Sequence, residues 1–310
     1  MGRSPLTLAL TGDTMLGRGV ARAIAAGDEV LDAEVVALAA TADLFLLNLE
    51  CCISERGEPW AAPGKPFFFR APPRAAELLA EWGVDCVTLA NNHALDYGPE
   101  ALLDTFAHLE AAGIAWVGAG VDERAARAAH AVGDVAVVAA TDHPADFAAG
   151  PDTAGVAYAA LANGVPEWLR GAAQGAIVLV HWGPNMTRAP VPHVRRAAGA
   201  LVDAGATLVA GHSAHVPHGA ARRTLYDLGD FLDDYAVDEH LRNDLGLLFL
   251  VTIENGGVTA EAVPLALDFC RTRLAHGADA ALVADRFAEA SQQLGAQAEV
   301  TSGRARVRLS

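Results

Sequence analysis

The sequence predicts an α/β protein with mixed later strands, and three observations predict it. Short apolar runs alternate with alanine-rich segments of helical periodicity along most of the 310 residues. Several of the runs end in clusters of Asp, Glu, Asn or His. Late in the chain, two longer apolar runs flank Asn255-Gly256-Gly257, the pattern of an antiparallel hairpin.

Taken in order, residues 6–11 (LTLALT) read as a first strand stopped by Gly12-Asp13. Helical patterns follow over 16–26 and 32–42, then a strand over 44–48 (LFLLN). Residues 51–66 carry Gly, Pro and charge and read as a loop, with a short strand expected at 67–69. Pro72 and Pro73 open a helix over 72–82, because the first helical turn has no use for the N–H that proline lacks. A strand over 85–90 runs into Asn91-Asn92-His93, and a helix over 99–112 again starts on proline. Residues 115–117 and 135–140 read as strands and 141–165 as an irregular stretch. The pattern continues with a strand at 176–181 (AIVLVH), a helix at 191–204 and a strand at 206–211. The hairpin spans 247–254 and 258–265, a helix is expected over 272–294, and a small hairpin over 299–310 turns at Ser302-Gly303. No internal repeat is visible. The simplest division is one domain over 1–268 with an appendage over 269–310.

Hydrophobic residues make up 52% of the chain and charged residues 19%, too apolar for a disordered protein and long enough for a large core. The net charge of −16 argues against non-specific nucleic-acid binding and against docking on anionic lipid. It leaves room for a phosphate-bearing substrate, because bound cations reverse the sign of a pocket. Cys51, Cys52, Cys86 and Cys270 fit neither a zinc spacing nor a disulfide framework and read as free thiols in a reducing compartment. The apolar run at 6–10 is too short for a signal core or a membrane span, and no later stretch reaches that length without charge. The expectation is a soluble, cytoplasmic protein with no membrane partner, its oligomeric state open.

The strand ends carry the chemistry. They present Gly12-Asp13, then Asn48-Leu49-Glu50, then Asn91-Asn92-His93 with Asp96 beyond, then His181-Trp182-Gly183, then Gly211-His212 with His215 close behind. In α/β sheets ligands gather beyond the carboxyl ends of strands, and this set offers the oxygen and nitrogen donors of a divalent-metal site. Singly, each has a plainer explanation: Asp13-Thr14 as a helix cap, Asn91-Asn92 as a turn, a lone His as a hydrogen-bonded spectator. The repetition at successive strand ends favours a site.

In this order the clusters resemble the CapA family of poly-γ-glutamate biosynthesis or capsule proteins, within the calcineurin-like metallophosphoesterase superfamily. The matching pieces are TGDTMLGRG (11–19), NLE (48–50), LANNHALDYG (89–98), HWG (181–183), GHSAHV (211–216) and YDLGDF (226–231). The resemblance implies a four-layered α-β-β-α sandwich with its site at one end of the sheets. It implies one or two divalent ions (Mn, Fe, Zn or Mg) on Asp13, Glu50, Asn92, His181, His212 and His215. His93 would be the general acid and Asp96 its orienting partner. Asn48, Asn91, Trp182, Asp227 and Asp230 would line the pocket, and Pro184-Asn185-Met186 its wall. Asp233 and Asp234 read as a solvated acidic turn, and Lys65 and Arg70, beside the rim, as ordinary surface cations or else as holders of an anionic substrate group. The sequence departs from the superfamily where Asp13-Thr14-Met15 lacks the histidine of Asp-x-His and where Glu50 replaces a bridging Asp, and from the family's GHHPH where Ser213 replaces a histidine.

The function implied is a metal-dependent hydrolase acting on a phosphoester, or on a γ-glutamyl or peptide amide, in a small molecule or peptide. A role as an accessory protein of poly-γ-glutamate capsule synthesis is the first alternative, although members in that role carry an N-terminal membrane anchor not seen here. A metal-independent peptide or amino-acid epimerase and a catalytically silent binding module complete the set.

Overall fold

A computed structural model describes residues 5–61 and 65–309. Residues 1–4, residues 62–64 of the expected loop and Ser310 of the expected final hairpin lie outside the described residues.

The chain begins with β1 (Leu6–Thr14), α1 (Arg18–Ala26), α2 (Ala33–Ala39), β2 (Leu44–Leu49), β3 (Cys52–Ile53), β4 (Arg70–Ala71), α3 (Arg74–Glu81) and β5 (Cys86–Thr88). It continues through α4 (Gly98–Ala111), β6 (Ala115–Val117), β7 (Ala119–Gly120), α5 (Glu123–Ala126), β8 (His130–Val132), β9 (Val135–Thr141), β10 (Gly155–Val156), α6 (Glu167–Ala173) and β11 (Ile177–His181). Next come α7 (Pro192–Asp203), β12 (Leu208–His212), β13 (Ala220–Ala221), β14 (Thr224–Leu225) and β15 (Asp230–Leu232). The last elements are β16 (Leu245–Glu254), β17 (Gly257–Asp268), β18 (Arg271–Leu274), α8 (Gly277–Gln293), β19 (Gln297–Thr301) and β20 (Arg304–Arg308).

The α/β class is as expected, with two mixed sheets. The larger runs β19-β20-β17-β16-β1-β2-β5-β6, with β15 also on β1 and β18 also on β17; the smaller runs β13-β14-β12-β11-β9-β8. Strands β1, β2, β5 and β6 are parallel, as are β9, β11, β12 and β14, so each sheet collects several carboxyl ends at one edge.

Side-chain alternation then layers the molecule. In β1 and β2, Leu8, Leu10, Leu44 and Leu46 enter one apolar cluster with Val137, Ala139, Ile177, Leu179, Leu208 and Ala210 of the smaller sheet. Ala9, Phe45 and Leu47, one residue out of phase, pack on the other face with Val20, Val35, Leu79 and Leu102 of α1 to α4. Val178 and Val180 of β11 do the same with Leu169 of α6 and Val194 and Leu201 of α7. Helix α8 joins the cluster between the sheets through Val283 and Phe287, whose ring meets Phe249 edge-on at 5.3 Å. β19 and β20 extend the larger sheet from β17, and Ala275, Phe287, Ala305 and Leu309 share its core.

Three expectations change. The short strand is not 67–69 but Arg70–Ala71, paired with Cys52–Ile53 inside the expected loop. The Phe69 carbonyl still accepts the Cys52 N–H at 3.3 Å, but its own N–H donates to Asp96 Oδ2 at 2.6 Å rather than to a strand, and its ring stacks on His93 at 4.0 Å. The final long helix starts at Gly277 rather than 272, since Arg271–Leu274 pairs with the end of β17 and the Thr272 hydroxyl donates to the Phe231 carbonyl. α6 and β15 had no sequence signal: one is seven residues long with Gly171 inside it, and the other is three residues within an acidic run.

Candidate metal centre

Asp13 sits where β1 bulges between β2 and β15, opposite Asn48 on one side and Asp230 on the other. This close approach demands Gly12: a Cβ there would lie 1.8 Å from the Gly229 carbonyl oxygen. In the smaller sheet, β11 and β12 end in register, with His181 beside His212. The two sheets meet at these ends. Asn48 Nδ2 donates to Asp13 Oδ1 at 2.7 Å and lies 3.5 Å from His181 Nδ1. The Ser213 N–H donates to Asp13 Oδ2 at 3.2 Å. Asn91 fixes the third strand end by donating to Asn48 Oδ1 (2.9 Å) and the Leu49 carbonyl (2.8 Å) while accepting the His93 N–H (3.0 Å).

Two groups of donor atoms converge here. Asp13, Glu50 and His181 form one, and Asp13, His215 and Asp230 the other, each within 4.8 Å. His215 Nδ1 lies 2.8 Å from Asp230 Oδ1 and 3.3 Å from Asp13 Oδ2; His181 Nε2 lies 3.9 Å from Glu50 Oε1. Both Glu50 oxygens, His181 Nε2, both His212 nitrogens, Asn92 Oδ1 and Asp230 Oδ2 are buried without a hydrogen-bond partner among the described residues. Native proteins rarely leave such groups unsatisfied, least of all a fully buried carboxylate. Hard oxygens and imidazole nitrogens left open in one small volume fit a divalent cation.

The electrostatics of the carboxylates, His181 and His212 agree, and those of His215 do not. Burial raises the Asp13 pKa, and burial with the adjacent Asp13 charge pushes Glu50 well above the carboxylate range. Asp230 is likewise pushed well up by burial. Burial lowers His181 and His212, favouring the neutral, ligating form. Burial also opposes charge on His215, but Asp230, Glu50 and Asp13 together hold it well above its usual value.

A second constellation adjoins. His93 Nδ1 and Asp96 Oδ2 are 2.6 Å apart, and Lys65 Nζ reaches Asp96 Oδ1 and the Asn92 carbonyl, both at 2.9 Å. Burial lowers His93 to about 4, so its ring is neutral and gives its one proton to Asp96 from Nδ1.

Other expected residues take different places. Asp227 accepts the N–H groups of Ala214 and Gly229, both at 2.9 Å, and fastens the loop under His215. Trp182 is buried, its indole donating to the Tyr226 carbonyl at 3.0 Å. Asn185 Nδ2 is 3.2 Å from His215 Nε2. Asp233 and Asp234 are not a solvated turn. They are buried because backbone N–H groups need them: Tyr235 donates to Asp233 and Gly19 to Asp234, at 2.8 and 2.9 Å. Lys65 is not a surface cation but bridges Asp96 to Asn92, and Arg70 lies over the Tyr97 ring at 4.1 Å. All four cysteines are free, and burial pushes Cys52 and Cys86 up to about 12.

Sequence reasoning missed Asp142 and His143. They follow β9, the ring of His143 is 5.2 Å from that of His181, and Asp142 Oδ1 is 2.5 Å from His143 Nδ1. The strand-end rule that found His181 applies to them equally. Tyr235, 5.4 Å from the His215 ring, carried no signal.

Residues 7–235 match the family described as bacterial capsule synthesis protein PGA_cap. A probable polyglutamine synthesis accessory protein of Mycobacterium tuberculosis is 34% identical over 82% of this chain and 73% of its own length. The capsule biosynthesis protein CapA of Bacillus anthracis is 26% identical over 84% of this chain and 67% of its own. The PGA biosynthesis protein CapA of Bacillus subtilis is 28% identical over 74% and 63%. No helix among the described residues is long and apolar enough to cross a membrane. With the strand-end clusters lying inside the matched span, the chain belongs to the CapA (PGA_cap) family of bacterial capsule synthesis proteins.

Proposed function

We propose that this chain is a divalent-metal-dependent hydrolase serving capsule or polyglutamate synthesis, with a phosphoester or a γ-glutamyl amide as its substrate. The observation that carries the reading is the open donor set: Glu50 with neither oxygen satisfied, beside His181 Nε2 and Asp13. Asp13, Glu50 and His181 would hold one cation, and Asp13, His215 and Asp230 a second, with His212 and the Asn92 amide oxygen as further donors. A bound divalent cation supplies Lewis-acid polarisation and a more acidic water.

The protein's own groups do the rest. Asp96, held by the Phe69 N–H and Lys65, fixes the His93 ring with its proton on Nδ1. Nε2 is then an acceptor. It takes up a proton as water attacks and delivers it to the leaving oxygen or nitrogen. The Phe69 ring stacked on His93 keeps bulk water from that face. The part in capsule synthesis rests on the names of the relatives and on family membership.

Metal analysis of protein purified without chelator tests the reading. Stoichiometric Mn, Fe or Zn that is lost in Asp13→Ala or His181→Ala supports it. Protein that stays metal-free while active would sink it.

A further inference from the structure

Arg18 has a conformation and setting that the metal site does not explain. It stands at the start of α1 with φ of 51°, in the left-handed region that disfavours any side chain. Its neighbours pin that backbone. A Cβ on Gly17 would meet the Arg70 nitrogen at 3.0 Å, and one on Gly19 would meet Asp234 Oδ2 and Cys270 Sγ, both at 2.8 Å. Only the Arg18 side chain leaves this tight strap. Its guanidinium carbon lies 5.3 Å from the Phe67 ring centroid and 5.8 Å from that of Phe69. Phe69 is the ring stacked on His93, so Arg18 and His93 share one aromatic wall.

The guanidinium carries five donors. Among the described residues its one ion pair is with Asp234, at 3.3 Å from Nη2, and the side chain is 37% exposed. Of the other cations near this wall, Lys65 is committed to Asp96 and the Asn92 carbonyl, while Arg70 lies over the Tyr97 ring and gives Nη1 to two backbone carbonyls behind it in the chain. Arg18 thus keeps donors beyond this one ion pair and is more than a third exposed, in a protein of net charge −16.

Building on the hydrolase reading, we propose that Arg18 grips an oxyanion of the substrate, carboxylate or phosphate, and orients the scissile group toward His93. A planar fork suits such a group in bidentate fashion, and the Phe67 and Phe69 rings lie beside it.

The test is calorimetric titration of the full chain in Mn²⁺ with two probes, orthophosphate and γ-glutamylglutamate, on wild type, Arg18→Met and Arg18→Lys. The probe that binds identifies the source of the oxyanion. Arg18→Met is expected to weaken it about ten- to a hundredfold, and Arg18→Lys about three- to tenfold, with Mn²⁺ affinity unchanged. Unchanged probe affinity in Arg18→Met, or no binding of either probe to wild type, overturns the proposal. If Arg18→Met does not fold, Arg18→Lys decides by the same criterion. Arg18-dependent binding in protein that takes up no Mn²⁺ would support this assignment while removing the metal reading.

Discussion

Glu50→Gln distinguishes a cation site from a mere cluster of buried acids. Glu50 is fully buried, neither oxygen has a partner among the described residues, and burial with the Asp13 charge raises its pKa well above the ordinary 4.5. In chelator-treated protein the folded chain therefore holds a proton that the unfolded chain has already lost. The stability this proton contributes is complete below the unfolded pKa and is lost as pH rises toward the folded one. Gln resembles the protonated acid in shape and has no charge to desolvate. Metal-free Glu50→Gln should accordingly be at least as stable as wild type near neutral pH, with a melting temperature that falls less between about pH 5 and 8. A cation reverses the order. At a hundred times its Kd, an ion bound only to the folded state adds about 2.7 kcal/mol, which is about 5 °C in a chain of this size. If the variant binds a hundredfold more weakly, the same concentration adds about 0.4 kcal/mol, under about 1 °C. Differential scanning calorimetry with and without Mn²⁺ or Zn²⁺ reads both signs. A metal-free variant several degrees less stable than wild type, together with a wild type indifferent to every divalent ion, would refute the reasoning.

Three further outcomes are expected. His93→Ala should lower turnover of an alkyl phosphate about 10²- to 10⁴-fold at unchanged metal content, with a smaller loss for a nitrophenyl phosphate whose leaving group needs no proton; steady-state kinetics on the two esters measures this. Asp227→Ala strands the Ala214 and Gly229 N–H groups and should cost about 2 kcal/mol or more in a urea titration. Gly12→Ala cannot place its Cβ 1.8 Å from the Gly229 oxygen, so soluble expression should collapse rather than activity fade.

What was legible in the sequence follows from the kind of signal each feature leaves. Parallel strands buried on both faces read as continuous apolar runs, so β1, β2, β11 and β12 are plain, and with them Asp13, Asn48, His181 and His212 at their ends. Asp230 was legible only as a pocket residue. Its pairing with His215 depends on β15, a three-residue strand that owes its existence to the β1 edge. Local pattern could not show that Asp233 and Asp234 are buried, because the N–H groups they satisfy include Gly19, 215 residues away in sequence. Lys65 was misplaced for the same reason: a lysine in a polar loop looks solvated until the loop folds back on Asp96. His143 is different: it lies just beyond β9, so the strand-end pattern marks it as it marks His181.

The acidic excess and the two-sheet architecture bear on each other at this site. Asp13 and Glu50 belong to the larger sheet and His181 and His212 to the smaller, so the donors become neighbours only when the apolar cluster between the sheets closes. Direct polar links across the seam run through Asn48 toward His181 and through the Ser213 N–H to Asp13. Closing the sandwich thus forces carboxylates together without water, which costs free energy that the core must supply and that a cation would return. A cation bound here would couple its binding to folding by this geometry, and the coupling would run through Glu50 more than through any histidine. A neutral imidazole can be buried cheaply, whereas a second carboxylate beside Asp13 cannot.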